Sequence, residues 1–426
     1  MKRHTFLLVL LYALSVSAAE RVSLEQLQSD WTKYVNQTVV ISTPLVVCGN
    51  FYDSLVLAPE RLVCPEERAV GLADGDSTRY YELAAHNYRS SICVHCRNNY
   101  YSVRTGDKVH GLKARVTAER QLVTGQSVKT RHAAKSRLPK KNKGEMRIVG
   151  ANIENYFAVL GGYAHRKTTP AQQALQTRKL AKGLQRMKAD LFAMCEMQKG
   201  DKAPKMLLEE LNKHGDKYAY VDMGWSNQDR ISGCFIYRKD RIRPVGPWFS
   251  AYQDTTSHYH VRMVTQCFEE IATGERFVIS LNHLKSKRKG KVDTNTQRMQ
   301  NTDSLLVMLP KALAVYGDED VLLLGDYNCY TQEQPIQTIV RAGYADMLQV
   351  YCADDYSYSY HGEVGYLDRC FANPTMQTQI VRVMPWHINA DWYYSHEASK
   401  MRDKTYHRYS DHDPIIVDVR LKKATL

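Results

Sequence analysis

Beyond its first residues the chain has no hydrophobic run that approaches the roughly 18 apolar residues of a membrane-spanning helix, so no later membrane anchor is predicted. It also has no internal repeat, so a repeat architecture is not indicated. Acidic residues are scarce relative to basic ones, since 45 Asp and Glu stand against 58 Lys and Arg, a formal charge of +13. This excess favours a polyanionic partner such as a nucleic acid, with an anionic membrane surface or simple solubility as the alternatives.

Residues 1–19 have the pattern of a cleaved secretory signal peptide. Lys2 and Arg3 give a positive start, residues 6–16 are apolar, and Ser17-Ala18-Ala19 supplies the small residues of a cleavage site. We therefore expect a secreted or periplasmic mature protein, whose formal charge falls by two from +13 to +11. No cysteine lies near the cleavage site, which argues against a lipid anchor there.

The ten cysteines of an exported chain predict some disulfides, although spacing does not give their connectivity. A disulfide between Cys352 and Cys370 would stiffen the loop beside Asp368. Zinc is the less favoured alternative for the first part of the chain, where a Cys-Val-His-Cys knuckle occurs. Its candidate ligands are Cys48, Cys64, Cys93 and Cys96.

Residues 20–123 predict a small all-β domain that follows one short helix at 23–31. The expected strands are short and separated by Gly, Asn and Asp, at 38–41, 45–47, 54–58, 80–83, 100–104 and 109–117. A barrel of the oligonucleotide-binding (OB) type is the preferred interpretation. Tyr80, Tyr81, Tyr100 and Tyr101 are candidate base-stacking residues, or else part of the core.

Residues 124–145 are predicted to be a basic linker. Between Gln121 and Gly144 the chain has no acidic residue, and a run of like charges stays solvated. A hinge is the simpler role, and a tether that follows phosphates is the alternative. The seven basic residues are Lys129, Arg131, Lys135, Arg137, Lys140, Lys141 and Lys143.

Residues 146–421 alternate between strand and helix patterns, which predicts two sheets packed on each other and covered by helices. Tight hairpins such as 272–275 argue against a singly wound parallel sheet. Helices are expected at 171–187, 206–211, 294–315 and 335–342. Strands are expected at 146–151, 190–195, 218–221, 233–238, 261–268, 276–281, 321–324 and 413–421.

Polar side chains follow strand after strand in this region. Val321 to Leu324 read as a buried strand that Gly325 ends, and Asp326 and Asn328 come next. In extended chain these two side chains would share one face and suit a divalent cation and a phosphate oxygen; a simple Asx turn is the alternative. The other residues at strand ends are Asn152, Glu196, Asn282, His283, Asp368, Asp411 and His412.

This ordered set closely resembles the endonuclease/exonuclease/phosphatase family, which includes DNase I-like and exonuclease III-like enzymes. The resemblance covers residues 146–421 and implies a four-layer α/β/β/α sandwich; the β domain before it more loosely resembles that of secreted bacterial nucleases. The matching segments are Gly-Ala-Asn-Ile-Glu-Asn (150–155), Met-Cys-Glu-Met (194–197), Ser-Leu-Asn-His-Leu-Lys-Ser (280–286), Gly-Asp-Tyr-Asn (325–328), Tyr-Leu-Asp-Arg (366–369) and Ser-Asp-His-Asp-Pro (410–414).

The resemblance implies a role for each of these residues. Glu196 would be the principal ligand of Mg²⁺, with Ca²⁺ or Mn²⁺ as alternatives, and Asn152 and Asp411 would complete the metal site. His412 would be the general base, oriented by Asp368. Four further residues have implied roles: Asp326 and Asn328 would orient water and phosphate, His283 would protonate the leaving oxygen or bind phosphate, and Arg262 would bind phosphate. A carboxylate partner for His283 is not evident, because Asp229 has the wrong spacing.

These features together predict a secreted, metal-dependent endonuclease that cleaves phosphodiester bonds of DNA with low sequence specificity, with RNA as an alternative substrate. It is expected to act as a monomer without a stable membrane anchor. A basic loop at 285–291, just after His283, would suit a polymeric phosphate backbone. One alternative is a hydrolase of the same fold acting on phospholipid or inositol-phosphate head groups. Another is a non-catalytic nucleic-acid-binding protein, against which the filled set of catalytic positions argues.

Overall fold

The computed structural model describes residues 19–51, 53–97, 103–161, 168–215, 217–250, 262–287, 294–392 and 405–422. The predicted signal peptide, Tyr100, Tyr101 and most of the basic loop at 285–291 therefore lie outside the described residues. Within the described residues, no helix has the length and apolar character needed to span a membrane.

The first part of the chain forms a nine-stranded sheet, with short helices and one long helix beside it, among the residues described. Its helices are α1 (Leu24–Ser29), α2 (Trp31–Tyr34), α3 (Pro65–Arg68) and α4 (Thr78–Ser90). Its strands are β1 (Glu20–Val22), β2 (Thr38–Ile41), β3 (Leu45–Asn50), β4 (Ser54–Ala58), β6 (Ile92–Cys96), β7 (Lys108–Val109), β8 (Leu112–Val116), β9 (Gln121–Thr124) and β10 (Thr130–Arg131), while β5 (Leu62–Val63) belongs to a separate small sheet.

The strand order in this sheet is β1-β2-β8-β9-β6-β4-β3-β7-β10. Strands β2 and β3 follow one another in sequence around Pro44 but stand far apart in that order, so the sheet must bend back on itself. Side chains from both regions then share one core, which includes Val39, Val47, Leu57 and Val94.

The strand predicted at 80–83 is wrong, because this segment lies inside α4. Residues 82–85 are good helix formers and include no turn residue. Asn87 is the one buried residue of the whole helix, whereas a strand on a sheet would bury every second residue. Tyr81 is exposed on this helix, and Tyr80 is half-buried. Helix α4 departs from the predicted all-β pattern, whereas the nine-stranded sheet agrees with the predicted strand content, and the OB-type barrel stays a prediction.

The second part contains two six-stranded sheets among the described residues, with orders β13-β14-β12-β11-β24-β23 and β15-β16-β17-β18-β22-β19. Its helices are α5 (Pro170–Met187), α6 (Lys202–Leu211), α7 (Thr294–Tyr316), α8 (Gln334–Arg341), α9 (Met347–Cys352) and α10 (Pro374–Gln377). Its strands are β11 (Met146–Tyr156), β12 (Leu191–Gln198), β13 (Tyr218–Tyr220), β14 (Ile231–Arg238), β15 (Ile242–Phe249), β16 (Met263–Glu270), β17 (Arg276–His283), β18 (Val321–Asp326), β19 (Ala345–Asp346), β20 (Tyr358–Tyr360), β21 (Glu363–Gly365), β22 (Asp368–Ala372), β23 (Ile380–Pro385) and β24 (Ile415–Val419).

The two sheets pack face to face, which confirms the predicted mixed α and β character of this part. Their shared core includes Ile148 and Leu191 from one sheet and Ile279 and Leu324 from the other. Helices α5 and α6 cover the outer face of the first sheet, and α7 and α8 cover the outer face of the second. Burial on both faces explains why β18 reads as a continuous apolar run instead of an alternating one.

All ten cysteines carry free thiols, so the disulfides predicted from cysteine number are absent, including the one between Cys352 and Cys370. Most of these thiols lie in the core, and some form hydrogen bonds with nearby polar groups. Cys352, for example, receives a hydrogen bond from the Tyr366 hydroxyl, with 3.4 Å between oxygen and sulfur. Cys64 donates to Glu66 Oε2 at 2.8 Å. Among the described residues no cluster of three or more His, Cys, Asp or Glu side chains is arranged to hold a metal, and the first four cysteines do not form one.

The two parts of the chain share secondary structure. Strand β5 pairs in parallel with β21, and the Cys64 N–H donates to the Val364 carbonyl at 2.9 Å. Helix α3 then inserts Glu67 against Arg369, whose side chain is fully buried. Arg369 Nη2 lies 3.3 Å from Glu67 Oε2, and Nη1 donates to Asp346 Oδ2 at 2.8 Å. The first part of the chain thus supplies half of the countercharge of a buried cation in the second.

We predict that Glu67→Gln lowers the free energy of unfolding by about 2 kcal/mol, because it removes one of two carboxylates from a buried guanidinium. Chemical denaturation measures this value. Glu60→Gln is the matched control, since Glu60 is exposed, and it should change stability by less than about 0.5 kcal/mol. Equal effects of the two substitutions would contradict the proposed support of Arg369.

Candidate active site

The strand register brings the predicted residues of the second sheet into one row. His283 at the end of β17 pairs with Asp326 at the end of β18, and Asp326 pairs with Asp368 at the start of β22. From the first sheet, Asn152 on β11 and Glu196 on β12 face the same region. Residues that lie far apart in sequence therefore meet where the ends of the two sheets come together.

Gly325 is required immediately before Asp326. Its φ is +129°, and a Cβ atom there would lie 1.9 Å from the Asn282 carbonyl oxygen, so no other residue fits without moving β17. The close approach of these two strands is what aligns His283 with Asp326.

Asp326 is buried and connects the two sheets. Its Oδ2 accepts a hydrogen bond from Asn152 Nδ2 at 3.0 Å and one from Asn328 Nδ2 at 3.2 Å, while Oδ1 accepts from the Asn328 N–H at 2.8 Å. The Asx turn considered from sequence is thus present, and the second oxygen still faces the site. Asn328 has a φ of +50°, so it converges with Asp326 through this turn and not, as predicted, through extended chain. Burial raises the pKa of Asp326 to about 7.

His412 and Asp368 form the predicted pair. His412 Nδ1 lies 2.8 Å from Asp368 Oδ2, and His412 Nε2 lies 3.9 Å from Asp326 Oδ2. Burial lowers the pKa of His412, but the carboxylates of Asp368 and Asp326 outweigh it, so that pKa lies well above its usual value. A carboxylate on Nδ1 leaves Nε2 directed into the site, where it can exchange a proton with water or substrate.

Glu196 lies opposite this pair. Its Oε1 accepts a hydrogen bond from Asn152 Nδ2 at 3.1 Å, and its Oε2 accepts one from the Asn155 N–H at 2.7 Å. Its φ of +66° falls where β11 and β12 shift register, an uncommon backbone geometry that turns the carboxylate inward. Burial and the nearby charge of Asp411 raise the pKa of Glu196.

The chemistry of these donors fits a divalent cation only in part. Glu196 and Asp411 are two neighbouring carboxylates whose repulsion a cation would relieve. Asn152, by contrast, turns its amide N–H₂ group toward Glu196 and Asp326, and its Oδ1 accepts the Glu154 N–H at 3.0 Å. In this arrangement Asn152 orients two carboxylates instead of presenting an oxygen as a ligand.

His283 and Arg262 also reach the site. His283 Nε2 lies 3.8 Å from Glu196 Oε1 and 3.7 Å from Asp326 Oδ2. These two carboxylates, and not Asp229, are therefore the acidic neighbours of His283. Asp229 instead forms an ion pair with Arg230. Arg262 Nη1 donates to the His283 carbonyl at 3.4 Å, which places the guanidinium beside this histidine.

One charged residue that supports the site has no signal in the sequence, and a second has a different partner from the predicted one. Glu67 belongs to the first part of the chain, yet it supports Arg369, the residue after Asp368, and receives hydrogen bonds from Thr331 N and Oγ1, each at 2.8 Å. Lys287, predicted to meet phosphate, instead forms an ion pair with Glu333 at 2.5 Å. No local pattern distinguishes such a long-range partner from an ordinary surface charge.

Solved structures similar to this chain include members of the endonuclease/exonuclease/phosphatase family. One such protein from Bacteroides thetaiotaomicron has 16% sequence identity and a TM-score of 0.45, over 65% of this chain and 97% of that one. The human Nocturnin catalytic domain with a bound sulfate anion has 14% identity and a TM-score of 0.45, over 65% and 93%. An AP endonuclease from Archaeoglobus fulgidus has 13% identity and a TM-score of 0.43, over 65% and 100%.

No protein-family model matches the chain, and no curated protein matches it in sequence. The Bacteroides thetaiotaomicron protein carries in its name the family that the motifs resemble.

We predict that Asp368→Asn lowers kcat/KM by about 10²-fold, because the imidazole loses the carboxylate that orients it. It also moves the acidic limb of the pH profile to lower pH: Asp368 raises the pKa of His412, so its loss lowers the pH at which the imidazole becomes neutral. A pH–rate profile tests both effects.

Asp303→Asn on the exposed face of α7 is the control for this experiment and should leave the profile unchanged. An acidic limb that stays in place in the Asp368 variant, at wild-type rate, would show that another residue activates the water.

Proposed function

We propose that this protein is a metal-dependent phosphodiesterase that cleaves DNA as an endonuclease with low sequence specificity, with RNA as a further candidate substrate. The proposal is carried by the His412–Asp368 pair, 2.8 Å apart, whose Nε2 lies 3.9 Å from the buried Asp326 carboxylate. A phosphodiester needs a base for the attacking water and a donor for the leaving oxygen, and two histidines with different partners suit these roles.

In the proposed reaction, His412 Nε2 takes a proton from water as the water oxygen bonds to phosphorus. The bond from phosphorus to the leaving oxygen breaks, and His283 donates a proton to that oxygen. Asp368 stabilises the imidazolium that forms on His412, and Arg262 is close enough to His283 to bind a phosphoryl oxygen. Asp326 and Asn328 hold the attacking water in line.

Glu196 and Asp411 would hold the cation, for which Mg²⁺ is the first choice, with Ca²⁺ and Mn²⁺ as alternatives. When bound, the cation would neutralise charge on the phosphoryl group. Asn152 would keep Glu196 in position through its hydrogen bond. We also propose secretion, on the strength of the pattern at residues 1–19.

A polymeric substrate is favoured over a small head group by the charge of the chain, +13 before signal removal. The bent sheet of residues 20–124, in which β6 and β9 pair in parallel and β2 and β8 antiparallel, suits an OB-like barrel that gathers a strand. These features support nucleic acid over phospholipid, the second candidate in the same reaction class.

We predict that Glu196→Gln keeps the fold and loses at least about 10²-fold in rate on supercoiled plasmid with Mg²⁺, because a neutral amide binds a hard cation weakly. Glu209→Gln on the exposed side of α6 is the matched control and should retain full activity. Plasmid, RNA and sphingomyelin are compared with Mg²⁺ and with chelator. Near-normal turnover of the Glu196 variant, or cleavage of sphingomyelin alone, would contradict the proposal.

A further inference from the structure

A cavity of about 770 Å³ lies where the first part of the chain, the basic linker and the segment after β23 meet. Its size is that of a typical ligand site. None of the residues proposed for catalysis lines it. Its lining includes Arg104, Lys135, Arg137, Trp392, Tyr406 and His407.

The aromatic wall of this cavity is a stack of rings. The ring centroid of His407 lies 4.2 Å from that of Trp392 and 4.4 Å from that of Tyr406. Guanidinium groups cap the stack, since Arg104 lies 5.4 Å from the Trp392 centroid and Arg186 lies 4.7 Å from that of Tyr406. Cations held against rings in this way keep a fixed position in the wall.

The charge of the cavity is strongly positive. Its described lining contains no acidic residue, and the exposed side chains of Lys135 and Arg137 form no ion pair with a described residue. Burial and the nearby Lys135, Lys179 and Arg104 lower the pKa of His407 to about 4. His407 Nδ1 is buried and has no hydrogen-bond partner among the described residues. Lys135 and Arg137 therefore leave uncompensated positive charge at the cavity, which attracts an anion, whereas the Arg104 charge is partly balanced by Asp107, 3.7 Å away.

The cavity is also connected to the catalytic segment. His387 lines it, and His387 Nδ1 lies 2.9 Å from Asp413 Oδ2, in the residue that follows His412. Asn389 Nδ2 donates to the His412 carbonyl at 2.7 Å. The wall of the cavity and the general base therefore belong to one hydrogen-bonded unit.

We propose that this cavity binds the sugar-phosphate backbone of a nucleic acid strand, outside the catalytic cluster. Lys135 and Arg137 contact phosphate oxygens, Arg104 adds charge from the wall, and the Trp392 and Tyr406 rings contact the sugars and bases. The inference rests on the proposed nucleic-acid substrate, and it gives the basic linker a binding role in place of a plain hinge.

Lys135→Ala/Arg137→Ala tests the proposal without catalysis. Binding of a fluorescent single-stranded oligonucleotide is measured by anisotropy in chelator at several salt concentrations. We expect about tenfold weaker binding and a salt slope smaller by about 1.4, which corresponds to two lost phosphate contacts on a single strand. Both side chains are exposed, so the unfolding temperature should not change.

Lys140→Ala/Lys143→Ala is the matched control, because it removes the same charge from exposed residues of the same linker that do not line the cavity. It should weaken binding less than about twofold. Equal weakening by the two pairs would overturn the proposal, since net charge alone would then account for binding.

Two further measurements separate other ligands from a strand. A mononucleotide that binds as tightly as the oligonucleotide would assign the cavity to free nucleotides and overturn the strand proposal. Vesicles of phosphatidylserine and phosphatidylcholine whose binding is lost in the Lys135/Arg137 variant, while oligonucleotide binding is kept, would assign it to a membrane. Because these binding measurements require no turnover, they test the cavity even if the proposed hydrolysis is not observed.

Discussion

The buried carboxylate of Asp326 is the constraint on which the site depends. Asn152 from one sheet and Asn328 from the following turn both donate to it, while His283 and His412 lie within 3.9 Å. Burying a charge without such partners would cost several kcal/mol. The two sheets must therefore meet at this point with their polar ends together. The same burial concentrates ionisable groups there, and the pKa values of Asp326, Glu196 and His412 are all raised.

The support of the site extends beyond the second part of the chain. Arg369 is fully buried one residue after Asp368, and Glu67 reaches it from helix α3 near the start of the molecule. The pairing of β5 with β21 holds that helix in place. The first part of the chain, for which the sequence indicated substrate binding, thus also holds strand β22 in place, and β22 carries Asp368, the partner of His412.

Folding neutralises some of the positive charges of the chain and leaves others unpaired. Lys287 beside the site is neutralised by Glu333, and Lys141 in the linker is paired with Asp190. Lys135 and Arg137 instead face a cavity without a described countercharge. Net charge therefore favours an anionic partner, whereas the contact surface depends on which cations remain unpaired after folding.

The sequence by itself determined most of the longer strands and helices of residues 146–421 to within a few residues, because buried strands and amphipathic helices have distinct apolar periods. It did not predict the strands β15, β22 and β23 or the short helices α9 and α10. It also named the polar residues that the structure brings together at the strand ends, although Asp368 begins β22, a strand that the sequence did not predict. It could not distinguish α4 from a strand at 80–83, where aromatic residues suit both structures. It also could not exclude disulfides, because cysteine number says nothing of where the thiols lie.

Only the tertiary structure decided how these residues act on one another. The inward turn of Glu196, the orienting role of Asn152, the support of Arg369 by Glu67 and the cavity at Lys135 all join residues that are distant in sequence. Sequence periodicity reports which face of an element is buried. It does not show which distant side chain will neutralise a buried charge, because that depends on how the elements pack against one another.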